Sequence, residues 1–199
     1  SRRSHGRSAL RIIPAARSAA VMRRTWDVPV LPAMRKKKSG LIFNISSQLG
    51  RVIVPSIGHY CASKFALEAM SEQMAYELAP HGVEITIIEP GGYPTKVWTN
   101  RNRYAAELRS RLNPEYAEGY PELVAAMGHE DGSGRTADPM DIPKEIARVI
   151  AMPPGRRPLR SAVHPSFKPQ EKINKVSKET QLELAKLTGF GPWINDVLD

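Results

Sequence analysis

The sequence predicts an α/β domain, with parallel strands buried between flanking helices, on three observations. Leu41-Ile42-Phe43-Asn44-Ile45-Ser46 is apolar on both faces apart from Asn44, as a strand covered on both sides must be. From about Ile57 to Ala79, Phe65, Ala69, Met70 and Leu78 recur at helical spacing, and Pro80-His81-Gly82 ends the run. Val83-Glu84-Ile85-Thr86-Ile87-Ile88 then reads as a second strand. Strand, helix and strand in this order make a parallel crossover unit.

The elements follow in order. From Ser1 to Trp26 there are seven Arg, four Ser and no acid, without a sustained period. That composition fits an organellar transit peptide, a disordered basic arm, or an aberrant or truncated upstream region, and the three stay open. The chain therefore divides into a leader over residues 1–29 and a body over residues 30–199. Lys36-Lys37-Lys38 reads as a solvated helix end. After the second strand comes Pro90-Gly91. Between Lys96 and Pro139 the pattern loosens into short helical pieces, with Trp98, Tyr104, Tyr116 and Tyr120 scattered among charges. Gly128-His129-Glu130-Asp131-Gly132-Ser133-Gly134 resembles a phosphate turn by letters, but no strand precedes it and its acids would repel a phosphate. It reads as a loop. Asp141 is expected to cap a helix reaching about Met152, with Pro143 in its first turn. Pro153-Pro154-Gly155 stops that helix and Leu159 to Val163 is the last strand. A helical tail follows, and Phe190-Gly191-Pro192-Trp193-Ile194 either docks on the core or forms a subunit contact.

Composition narrows the class. The 199 residues are 41% apolar, enough for one domain with a core. The single cysteine, Cys61, excludes a disulfide framework and points to a reducing, cytoplasmic setting, with an organellar one as the alternative if the leader is a transit peptide. No apolar run approaches the ~18 residues of a membrane span. The net charge of +9 is concentrated in residues 1–38, which hold eleven Lys and Arg against one acid, Asp27. The remaining body is near neutral, so the charge does not describe a nucleic-acid face.

The chemistry lies between Ser47 and Lys64. Tyr60 and Lys64 are four residues apart on the predicted helix, so their side chains stack on one face. A cation at about 4 Å contributes roughly 4 kcal/mol at an effective dielectric of about 20, which eases proton loss from a phenol. Ser47 follows directly on the first strand and would add a hydroxyl at the same place. His59 points elsewhere on the helix, and Cys61 reads as a small core residue.

Three motifs now stand in sequence: Asn44-Ile45-Ser46-Ser47-Gln48-Leu49-Gly50, Tyr60-Cys61-Ala62-Ser63-Lys64, and Glu89-Pro90-Gly91-Gly92-Tyr93-Pro94-Thr95. In this order they resemble the catalytic and cofactor-closing motifs of the short-chain dehydrogenase/reductase family, and the similarity runs from about Val30 to Val163. The resemblance implies a Rossmann-like parallel sheet with flanking helices, and interconversion of an alcohol and a carbonyl with NAD or NADP. By the same resemblance Tyr60 would exchange a proton with the substrate oxygen, Lys64 would assist it and hold the cofactor ribose, and Ser47 would polarise the carbonyl. Pro90 and Gly91 would approach the nicotinamide, and Thr95 would bond its carboxamide. The family's opening strand and Gly-rich turn, which cradle the pyrophosphate, have no counterpart before Ser47, where the glycines are Gly6 and Gly40. The expected fold is thus a Rossmann-like sheet missing its first strands and its Gly-rich turn. A second reading stays open: a catalytically impaired fragment, or a non-catalytic subunit lacking the pyrophosphate site. The implied partner is a small-molecule alcohol or carbonyl, with no nucleic acid and no metal. The long helix carrying Tyr60 offers a surface for pairing with a second copy.

Overall fold

A computed structural model describes residues 29–130 and 132–198; apart from Pro29, the leader lies outside them. Three strands, β1 (Gly40–Ile45), β2 (Val83–Pro90) and β3 (Arg160–Val163), form a parallel sheet in the order β1-β2-β3. The register runs from Gly40↔Val83 to Ile45↔Ile88 and from Ile87↔Arg160 to Pro90↔Val163. Helix α1 (Leu31–Lys37) leads into β1, and α2 (Gly58–Leu78) crosses from β1 to β2. Among the described residues, four helices, α3 (Val97–Arg109), α4 (Pro114–Gly119), α5 (Pro121–Ala126) and α6 (Asp141–Ala151), lie between β2 and β3. The chain continues through α7 (Gln170–Leu187) and α8 (Gly191–Leu198). Because the strands are parallel, Ser47 and Pro90-Gly91 emerge at one carboxyl edge, where open α/β sheets bind ligands.

The turns entering β1 and β2 are pressed together. Lys38 closes α1 at φ 50°, and a Cβ on Gly82 would lie 2.3 Å from the Lys38 carbonyl oxygen. Gly82 also has φ +66°, so this position requires glycine twice over. On β2, Ile87 and Ile88 face opposite sides of the sheet and both are fully buried. Each contributes about 1.5–3 kcal/mol. Ile87 joins Leu31, Met74, Leu78, Ile194 and Leu198 in one core, while Ile88 joins Tyr93, Ala137 and Val163 on the other face.

Helix α2 corrects the sequence reading in one respect. Leu78 is buried as expected, but Phe65 and Met70 are exposed, and the stripe against the sheet runs through Cys61, Glu68, Ser71, Glu72, Ala75 and Leu78. The interval of three and four residues was right and the phase was wrong. An apolarity reading turns Glu68 and Glu72 to solvent, whereas β3 holds a cation, Arg160, beneath them. At α6 the predicted Asp141 cap is not formed: Met140 holds the N-cap position without a side-chain cap bond, Asp141 is the first helical residue, and Asp138 Oδ1 accepts from the Met140 amide just ahead of the helix. Asp141 instead accepts from the Tyr93 hydroxyl at 3.5 Å. In α8, Ile194 enters the core, while Trp193 stays exposed against Phe190, which precedes the helix. No helix among the described residues is long and apolar enough to cross a membrane.

Candidate active site

Ser47 leaves β1 with extended backbone and starts a 3-10 turn over Gln48–Gly50. Its Oγ accepts from the Leu49 amide at 3.1 Å, which leaves the hydroxyl its own O–H to donate elsewhere. Ser47 is nearly buried, and the preceding Ser46 amide donates to Ile88 O at 2.8 Å, which fixes the exit of β1 on β2.

Tyr60 sits in the first turn of α2 and is 44% exposed at the same edge. The Lys64 ammonium donates to the Ile45 carbonyl at 2.9 Å and stands 5.7 Å from the centroid of the Tyr60 ring. The cation thus bridges the last residue of β1 and the tyrosine. Ser47 is two residues beyond that carbonyl along the chain, so β1 carries it to the edge at which Lys64 meets Tyr60.

Pro90 and Gly91 leave the neighbouring strand. The Gly91 amide donates to Val163 O at 2.9 Å, and a Cβ on Gly91 would meet the His164 ring at 2.7 Å. Glycine is therefore required here by the imidazole beneath it. His164 packs edge-on against Tyr93 at 5.5 Å, and Tyr93 O accepts from Trp98 Nε1 at 2.7 Å. Burial, reinforced by Asp141, pushes the Tyr93 phenol up to about 12. Thr95 is exposed ahead of α3, where its Oγ1 accepts from the Val97 amide at 3.4 Å.

The aromatics of α3 to α5 divide. Tyr104, Tyr116 and Tyr120 are exposed, whereas Trp98 lies under the Arg135 guanidinium, 3.7 Å from the ring centroid. Glu130, in the glycine-rich loop, pairs with Arg135 and with Arg101 at 2.6 Å. Those two arginines hold its carboxyl below the ordinary carboxylate range against a desolvation that acts the other way.

Beneath the two turns is a buried polar cluster that sequence reasoning missed. Arg160 Nε meets Glu68 Oε2 at 2.9 Å, its Nη2 meets Glu72 Oε2 at 2.6 Å, and Glu89 Oε1 is 3.5 Å from Nε. That last contact is an ion pair by distance but not a hydrogen bond, since Glu89 Oε1 and Glu68 Oε1 are both buried without a hydrogen-bond partner. Burial, then Glu68, pushes the Glu89 carboxyl up to about 7, although Asn174 and Arg160 act against them. Glu72, with Arg160 and the Tyr76 hydroxyl on it, is held below its ordinary range despite desolvation. The signal that could have revealed the cluster is the Glu68/Glu72 pair, four apart on the face that also carries Cys61 and Ala75.

This cluster makes stability depend on pH. Folded Glu89 keeps its proton up to about pH 7, while in the unfolded chain it ionises near its ordinary value of 4.5. The folded state thus binds more protons through that window, and stability falls as pH rises across it, by roughly 3 kcal/mol in all. Urea unfolding at pH 5 and at pH 7.5 measures the drop. Glu89→Gln, which imitates the protonated carboxyl, should remove most of it. An equal drop in that variant would assign the effect to another group.

Residues 20–106 match a family model described as short chain dehydrogenase. A 3-ketodihydrosphingosine reductase of Bacteroides thetaiotaomicron is 35% identical over 136 residues, which cover 68% of this chain and 48% of that protein. The mitochondrial D-beta-hydroxybutyrate dehydrogenase of Rattus norvegicus is 34% identical over 115 residues, 53% of this chain and 33% of that protein. Among solved structures, a short-chain dehydrogenase from Streptomyces avermitilis is similar over 78% of this chain and 55% of its own, at 27% identity and a TM-score of 0.49. The chain spans about half or less of the length of these curated relatives.

Proposed function

Since the chain belongs to the short-chain dehydrogenase family, we propose that its chemistry is the NAD- or NADP-dependent interconversion of an alcohol and a carbonyl. The observation that carries the reading is the Lys64 ammonium, pinned on Ile45 O beside an open Tyr60 at the carboxyl edge. The relatives support it by name, one a reductase of a keto compound and one a dehydrogenase of a hydroxy acid.

The residues present fit the nicotinamide end of such a cofactor. Lys64 is a cation with donors left for ribose hydroxyls, and Thr95, its Oγ1 already accepting, keeps an O–H to donate to a carboxamide. When bound, the nicotinamide supplies or accepts the hydride. Ser47 donates its remaining O–H to the substrate oxygen and fixes its position. Tyr60 Oη, as the phenolate, takes the alcohol proton in oxidation and, as the phenol, gives one up in reduction, with the Lys64 ammonium beside its ring. The exposed Phe65 and Met70 on α2 support pairing with a second copy.

Saturation-transfer difference NMR of the 199-residue chain with NADH and with NADPH tests this, because it detects even millimolar binding. The groups that would touch the cofactor, Lys64 and Thr95, serve the nicotinamide ribose and carboxamide, so the protons at that end should take up more saturation than the adenine protons. Equal saturation of both ends, or none with either cofactor, would remove the reading.

A further inference from the structure

The Ser47 turn and the Pro90-Gly91 turn leave different strands, and their relative position fixes where a substrate oxygen meets a nicotinamide. One side chain touches what holds both. Asn174, half-buried on α7, accepts from Arg51 Nε at 2.9 Å through Oδ1 and donates from Nδ2 to Glu89 Oε2 at 2.7 Å. Arg51 closes the 3-10 turn that Ser47 opens, and Glu89 immediately precedes Pro90. One helical turn before Asn174, on the same face, fully buried Gln170 donates from Nε2 to the Glu89 carbonyl at 3.1 Å.

The orientation of the Asn174 amide is dictated at both ends. Arginine only donates, so Oδ1 must face Arg51, and a carboxyl oxygen without a proton accepts, so Nδ2 must face Glu89. A proton on Glu89 leaves this bond intact if it resides on Oε1, the oxygen without a hydrogen-bond partner. The charged groups around the bridge are Arg51 from the turn, Glu89 from β2, Arg160 from β3, and Glu68 and Glu72 from α2.

We propose that Asn174 is a positioning residue: by bridging Arg51 and Glu89 it lets α7 set the spacing between the Ser47 turn and the Pro90-Gly91 turn. The proposal deepens the oxidoreductase reading and rests on it for its purpose, but the coupling of the two turns is measurable without cofactor. Amide hydrogen exchange by NMR on the full chain reads it at Gly50, whose amide bonds Ser47 O, and at Gly91, whose amide bonds Val163 O. The Ile87 amide, bonded to Leu159 O at 2.7 Å in the core, serves as the reference. Asn174→Leu keeps the volume and removes both hydrogen bonds. Gly50 and Gly91 should then exchange about 10-fold faster or more, together, while Ile87 is unchanged. Unchanged exchange at both turns, acceleration at one alone, or an equal acceleration at Ile87 would overturn the bridge.

Asn174→Asp is the second arm and covers a leucine variant that fails to fold. Aspartate still accepts from Arg51 but cannot donate to Glu89 unless a proton lies between the two carboxyls. Gly91 should therefore exchange faster at pH 8 and recover at pH 5, with Gly50 steady at both after correction for intrinsic exchange. A side chain that merely fills space would give no such pH-dependent difference between the turns, and its absence would sink the proposal. Failure of the nicotinamide contact with coupled exchange intact would remove the oxidoreductase reading and leave the bridge standing.

Discussion

Tyr60→Phe lowers nicotinamide-dependent turnover by about 100-fold or more while the melting temperature stays within a degree or two of the parent. The change deletes one hydroxyl from a side chain that is 44% exposed, and the Lys64 bond to Ile45 O does not pass through it. The loss should fall on kcat, because what disappears is the group that carries the proton, whereas the ring and the Lys64 ammonium that position the site remain. Nicotinamide saturation transfer should persist in the variant. Retention of more than half of the parent turnover would take the proton-transfer role away from Tyr60 and direct attention to Ser47, the other hydroxyl at this edge.

The second large effect lies below the site. Arg160→Met removes the cation shared by Glu68, Glu72 and Glu89, all of them nearly or wholly shielded from water. Breaking a buried ion pair from one side costs about 3–5 kcal/mol, because the remaining charges stay buried without compensation. That is a large share of the ~5–15 kcal/mol by which a domain is ordinarily stable. Urea unfolding at pH 7.5 should show the variant about 3–5 kcal/mol less stable than the parent. Adding Glu68→Gln and Glu72→Gln should restore at least half of the loss, since the penalty belongs to stranded charge rather than to missing contacts. A single variant within about 1 kcal/mol of the parent would show that water reaches these carboxyls.

The sequence by itself determined the elements and the order of the chemistry. The run from Leu41 to Ser46, apolar on both faces apart from Asn44, reads as a strand covered on both sides, Val83 to Ile88 reads as a second strand, and the helix between them makes a parallel crossover, so Ser47 and Pro90-Gly91 emerge at one edge. The four-residue spacing put Tyr60 and Lys64 on one face of α2. These conclusions rest on local periodicity and on connection length, both written in neighbouring letters. What the tertiary structure decided depends on partners distant in the chain. Glu68 and Glu72 face inward because Arg160, about 90 residues on, lies opposite them. Gly91 is glycine because His164 fills the space where a Cβ would go. Asn174 looks like any polar position on a charged helix until the fold sets it between Arg51 and Glu89. A buried polar group is stable only with its partner, and the pairing is an outcome of packing that no local pattern encodes.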